Sequence, residues 1–282
     1  MEQQRERNSI LCPNCRKLIS ADEPRCPYCG LLRPGGSAQR ILSFRFIDGN
    51  RDWIRIILYV NVAFFLASLV LNPSVPGLGM NPFTFLSPSS TSLFLLGATG
   101  TIPIDQLHRW WTLISASYLH GGLLHIFFNM LAFLQLGPFV LREYGFHRFF
   151  LVYTWSGVLG FLVSWLAGIP FTIGASASIC GLIGATLYYG KSRGGLYGNI
   201  VYRQVMGWTI GLILFGFMVP GINNWAHGGG LAGGILLGFL LGYADLRRES
   251  PLQRLLSGAT VLLTAGILVY ALAYAVFLRF FH

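Results

Sequence analysis

Charge is scarce in this sequence of 282 residues: Asp, Glu, Lys and Arg together supply 11% of it. Carboxylates are scarcer still. None occurs between Glu143 and Asp245, and Asp105 stands alone between Asp52 and Glu143. A chain with so few solvating groups and 54% hydrophobic residues cannot build an ordinary water-facing surface, which excludes a soluble globular protein. The missing intramembrane acids also argue against an ion-coupled transporter of small solutes, and no inverted repeat is visible. The first fifty residues are mostly polar, so no cleavable signal peptide is expected. The net charge of +10 does not indicate nucleic acid, because the basic residues alternate with Glu and Asp and lack an interleaved aromatic platform.

What is present are seven runs near the length that a bilayer core demands of a helix, at residues 53–71, 123–141, 149–167, 173–189, 205–219, 225–243 and 255–277. With the N-terminus in the cytosol, 18 of the 20 Lys and Arg face inward, and only Arg109 and Arg279 remain outside. This positive-inside bias sets the expected orientation. The expectation is therefore an all-α polytopic membrane protein of seven transmembrane segments over residues 53–282, in a bacterial inner (plasma) membrane.

Before the first run lie Cys12-Pro13-Asn14-Cys15 and Cys26-Pro27-Tyr28-Cys29, two CxxC pairs ten residues apart. Four thiolates at this spacing suit one tetrahedral structural zinc, which would supply folding free energy that so short a segment lacks. Disulfides and redox-active thiols are the alternatives, and the cytosolic placement argues against both. Residues 1–33 are thus expected to form a zinc-ribbon-like module. Residues 34–52 read as a tether opening with Pro34-Gly35-Gly36-Ser37; alternatively, Ile41, Leu42, Phe44, Phe46 and Ile47 rest on membrane lipid. Cys180, alone in a membrane run, reads as a small packing residue.

The second, fourth and sixth runs enter from one side, and reactive polar residues collect at their starts: His120, His125 and Asn129, then Ser176, then His227. Polar groups at such positions are costly and read as functional. Ser176 and His227 suit a nucleophile and its general base, with His125, Asn129 and the Ser176 backbone N–H as oxyanion donors. Close approach of the two helices is supported by Gly230, Gly234, Gly238 and Gly242 facing Ala177, Gly181 and Ala185, each series at intervals of four. The alternative is that these small residues only pack a transport or receptor bundle, with Ser176 as interhelical glue. No carboxylate stands ready as a third member, so a Ser-His dyad is expected rather than a triad.

Taken together, His120-Gly-Gly-Leu-Leu-His125-Ile-Phe-Phe-Asn129, Gly174-Ala-Ser176 with Gly181 and Gly184, and Ala226-His227 with Gly230 and Gly234 resemble the rhomboid family of intramembrane serine proteases. The resemblance implies a six-helix core, with the seventh run as a C-terminal addition. It implies Ser176 as nucleophile, His227 as base, His125 and Asn129 at the oxyanion hole, and transmembrane proteins as substrates. A catalytically silent relative that binds transmembrane helices and recruits a cytosolic protein through the zinc ribbon is the alternative. Two positions depart from the family pattern: Ala177 follows the serine where Gly is common, and Trp111-Thr112 stands where Trp-Arg is often found.

Overall fold

The computed structural model describes residues 9–12, 17–28, 51–71, 86–219 and 221–281. They belong to two units, Met1–Asp52 and Trp53–His282. In the first, β1 (Ser9–Leu11) and β2 (Leu18–Ser20) pair antiparallel with Ile10 opposite Ile19. The Cys12 N–H donates to the Lys17 carbonyl at 3.0 Å, continuing the ladder by one residue. Among the described residues of this unit, Cys12, Ile19 and Cys26 are buried together against Ile10. Cys15 and Cys29, the other two expected zinc ligands, lie outside the described residues.

The second unit is built from helices. The long ones are α1 (Arg51–Leu71), α4 (Leu123–Tyr144), α5 (Phe146–Leu166), α6 (Ser176–Arg193), α7 (Gly195–Met218), α8 (Asn224–Leu241) and α9 (Pro251–Phe280). The short α2 (Ser90–Leu95) and α3 (Thr112–Ser115) lie in the connection between α1 and α4, with a π-helical turn at Ile102–Gln106 between them. Each of the seven apolar runs coincides with a long helix. Five of these, α1, α4, α5, α7 and α9, are long and apolar enough to cross a membrane by length and composition. The protein is an integral, multi-pass membrane protein. The other two, α6 and α8, are diluted by Gly, Ser and Ala, and they carry Ser176 and His227.

Local chemistry sets the ends. Gly145, at φ +79°, separates α4 from α5, and Gly194, at φ +62°, separates α6 from α7; a side chain rarely adopts either conformation. The charged stretch after residue 190, expected as a connection running to Arg203, is therefore helical on both sides of one residue. Lys191, Arg193 and Arg203 are exposed, and the Arg193 guanidinium pairs with Asp245 and donates to the Tyr189 hydroxyl. Ser250 and Gln253 form a reciprocal capping box that starts α9, with Pro251 at its first position.

The interior of this unit is the α5, α6 and α8 pack, where Phe149, Tyr153, Leu182, Ala177 and Ala226 are almost wholly buried. Outer helices keep large apolar side chains exposed, such as Phe127, Phe128 and Leu134 on α4 and Ile210, Leu214 and Phe217 on α7. Lipid tails solvate such a surface as well as a protein core would.

Candidate active site

A methyl group placed on Gly234 would come within 2.6 Å of the Gly181 Cα, and one on Gly230 within 3.2 Å of the Ala177 Cα. One turn further, Gly238 would meet the Ala185 Cα at 3.3 Å. The pairs advance together along both chains, so α6 and α8 run parallel with their backbones in contact. Extended one turn toward the helix starts, this register places Ser176 and His227 at levels about 3 Å apart, two residues' rise. Gly230, Gly234 and Gly238 thus do what their spacing suggested, since dispersion between touching backbones holds helices together in lipid, whereas Gly242 ends α8 at φ +68° and faces Arg247.

Ser176 opens α6 directly after a turn made by Gly174, which adopts φ +125° and donates its N–H to the Ala116 carbonyl at 2.9 Å. A side chain on Gly174 would lie 2.9 Å from His125 Nε2 and 3.6 Å from Ser176 Oγ. Both atoms therefore border the same small space beside that glycine. His125 Nδ1 accepts from the Gly121 N–H at 3.2 Å, so the proton of the neutral ring resides on Nε2, the nitrogen that faces this space. Asn129 sits one turn below and is nearly buried; its Nδ2 donates to the His125 carbonyl at 2.8 Å, leaving a second N–H for another acceptor.

His227 lies in the first turn of α8 and, like Ser176, is half-buried. No hydrogen bond joins the two side chains, and the buried His227 Nδ1 has no partner among the described residues. Asp105, the one acid near this end, instead accepts from the Trp165 indole at 2.8 Å. Among the described residues no carboxylate is hydrogen-bonded to His227. His120 is fully buried and stacks edge-on against His125, with ring centroids 5.2 Å apart. Ser178 is also fully buried, its hydroxyl 3.4 Å from that of Ser117, and so has no access to a substrate.

Sequence reasoning passed over two residues that the structure makes prominent. Asn223 donates through Nδ2 to Ser164 Oγ at 2.6 Å and Thr172 Oγ1 at 2.9 Å, while its Oδ1 accepts from the Ala226 N–H at 3.1 Å. One side chain thereby caps α8 next to His227 and ties it to α5 and to the strand leading into Ser176. An Asn just before a helix was the available signal. Gly160 on α5 is the other: a methyl there would meet the Ala226 carbonyl at 2.5 Å, Ala177 Cβ at 3.0 Å and the Gly230 nitrogen at 3.1 Å. Three helices converge on this glycine.

Both departures from the family pattern find local accommodation. The Ala177 methyl is buried against the bare face of Gly160. Thr112 is buried within the first connection, its hydroxyl 2.6 Å from the Arg109 carbonyl and 3.0 Å from the Thr99 hydroxyl.

A family profile described as the Rhomboid domain matches residues 107–244, which contain this whole constellation. Over 135 residues the chain is 35% identical to the putative rhomboid protease YdcA of Bacillus subtilis, covering 47% of this chain and 67% of that protein. It is 34% identical over 187 residues to the rhomboid protease GluP of the same organism, covering 66% of this chain and 36% of GluP. RHOMBOID-like protein 4 of Arabidopsis thaliana is 33% identical over 217 residues, and this chain spans about half of its length, 55%.

Proposed function

We propose that this chain, which belongs to the rhomboid family, is a serine endopeptidase that cleaves transmembrane proteins with Ser176 as nucleophile and His227 as general base. The observation that carries the reading is the parallel backbone contact of α6 and α8, which brings the first turns of both helices to one level. His227 Nε2 takes the Ser176 hydroxyl proton as Oγ attacks the scissile carbonyl, and returns it to the leaving amine. Water then enters and gives a proton to His227 as its oxygen attacks the acyl carbon; the bond to Oγ breaks, His227 returns that proton to Ser176 Oγ, and the acid is released. The His125 Nε2–H, the free Asn129 N–H and the Ser176 backbone N–H are the donors to the tetrahedral oxyanion. A substrate helix must unwind to expose its carbonyl, so small residues near the cleavage site favour reaction.

In this reading α1 and α4–α8 form the six-helix core, and α9 is an addition to it. The N-terminus lies in the cytosol, as the distribution of Lys and Arg supports. The N-terminal unit holds one structural zinc through Cys12, Cys15, Cys26 and Cys29. Cys12 and Cys26, one from each CxxC pair, are buried in one cluster, which supports this fit.

The test is labelling of the detergent-solubilised protein with a fluorophosphonate probe, followed by peptide mapping. Ser176 is the residue expected to carry the label, and Ser176→Ala is expected to abolish labelling and cleavage of a model transmembrane substrate while leaving the protein folded. Cleavage that survives in Ser176→Ala rules the mechanism out.

A further inference from the structure

Arg109 is one of only two Lys or Arg residues outside the groups expected to face the cytosol, and no carboxylate pairs with it among the described residues. Its guanidinium lies instead between two rings, 4.8 Å from the centroid of Phe94 and 5.0 Å from that of Tyr274 on α9. Nη2 donates to the Tyr274 hydroxyl at 2.7 Å, and Nη1 reaches the Phe94 carbonyl at 3.4 Å. Trp111 packs edge-on against Tyr270 at 5.3 Å and Tyr274 at 6.5 Å, and these two tyrosines, one turn apart on α9, stack at 5.7 Å. Two residues of the connection before α4 are therefore held by one face of α9, a helix that also bonds α5 through Trp155–Thr260 and Arg148–Gln253 and α8 through Gln253–Leu241.

From this clamp, short contacts lead to both members of the dyad. The Thr112 hydroxyl donates to the Arg109 carbonyl at 2.6 Å and lies within hydrogen-bond reach of Thr99 Oγ1, at 3.0 Å. Thr99 pairs with Thr172 through two backbone hydrogen bonds, at 3.1 and 2.7 Å. Thr172 Oγ1 accepts from Asn223, the cap of the helix that carries His227. On a second branch α3 leads to Ala116, whose carbonyl holds the Gly174 N–H two residues before Ser176. Polar contacts shielded from water are stiff, and losing one member loosens those after it.

We propose that α9 is a positioning element for the active site, with Tyr274 and Arg109 as positioning residues that hold the connection, and through it the Ser176 turn and the α8 cap, in register. The proposal rests on the protease reading for its kinetic consequence and on the hydrogen bonds alone for its structural one. Neither residue touches the reacting atoms; their effect is on how often the dyad is correctly aligned.

The experiment uses the full chain in detergent with three single variants, Tyr274→Phe, Arg109→Gln and Tyr270→Phe, and the double variant Tyr274→Phe/Arg109→Gln. Three quantities are read: the rate of Ser176 labelling by a small fluorophosphonate, kcat and KM for a transmembrane substrate, and amide hydrogen exchange at Thr99, Thr172 and Gly174. Tyr274→Phe, which removes only the hydroxyl, is expected to slow labelling and kcat roughly three- to tenfold, the scale of one ordinary hydrogen bond, with KM within about twofold. Exchange at the three amides speeds up, while Tyr270→Phe, which keeps its ring on Trp111, changes nothing. The double variant is no worse than the more severe single, because the pair acts as one unit. Unchanged exchange and labelling in both Tyr274→Phe and Arg109→Gln, or losses that simply multiply, overturn the proposal. Failure of the unsubstituted protein to label or cleave overturns the protease reading instead, and exchange still reports on the clamp.

Discussion

Asn223 joins three elements with one amide, and its replacement isolates the worth of that junction. In Asn223→Ala the buried hydroxyls of Ser164 and Thr172 lose their donor and α8 loses its cap. A loss of about 2–4 kcal/mol is expected, summed from one cap and two buried hydrogen bonds, together with slower Ser176 labelling. Asn223→Asp keeps the capping oxygen and loses the donor, so it should fall between Ala and the native residue in a denaturation series. At the proposed dyad, His227→Ala should remove turnover as completely as Ser176→Ala, since no second base is at hand. Asn129→Ala should cost roughly ten- to a hundredfold in kcat, because His125 and a backbone N–H remain as donors. Equal, complete loss at all three positions would show that a shared structural network had collapsed. Ser176, His227, His125 and Asn129 were legible in the sequence as the polar residues a lipid-facing helix would not otherwise keep. Asn223 was legible only as a cap directly before α8, because its bonds to Ser164 and Thr172 exist only once distant segments have packed.

Among elements, α6 and α8 are the pair whose contact matters most, and their glycines differ sharply from those of α9. Gly234→Val would drive two methyls into the Gly181 backbone and separate the helices, so loss of the folded, active protein is expected. Gly266→Ala on α9, where a Cβ meets nothing within 4 Å, should leave cleavage unchanged and stabilise the helix by up to about 1 kcal/mol. Thermal unfolding in detergent alongside substrate cleavage distinguishes the two, and a tolerated Gly234→Val would disprove the backbone contact. The seven runs and both small-residue stripes could be read directly, because length and an interval of four are local properties of the chain. The extra turns of α7 could not. Charged residues at 191–203 suggested a connection, whereas Gly194 and Gly195, both at φ +62°, make the break and leave the rest helical.

On the scale of the molecule, the N-terminal unit has its own small core and is joined to the membrane unit at Asp52–Trp53. One zinc per chain is the expected content of the purified protein by elemental analysis, falling to background in the Cys12→Ser/Cys26→Ser variant. Deleting residues 1–33 should leave hydrolysis of a model substrate in detergent within about twofold, because that segment belongs to a separate compact unit and the proposed site residues all belong to the other. A truncated protein that is folded yet inactive would show that the N-terminal unit controls the site.

Run length, scarcity of charge, small residues at intervals of four and reactive groups at helix starts were enough to specify a helical membrane protein and to single out Ser176 and His227. Each is a property of residues a few positions apart, and helices form from such local information. Tertiary structure alone decided which distant groups meet: Asn223 with Thr172 across 51 positions, Ala177 against the bare face of Gly160, and Arg109 with Tyr274 across 165. Contacts of that span depend on which helices pack and at what rotation, and that choice is made by the summed packing of the whole bundle rather than by any segment of it.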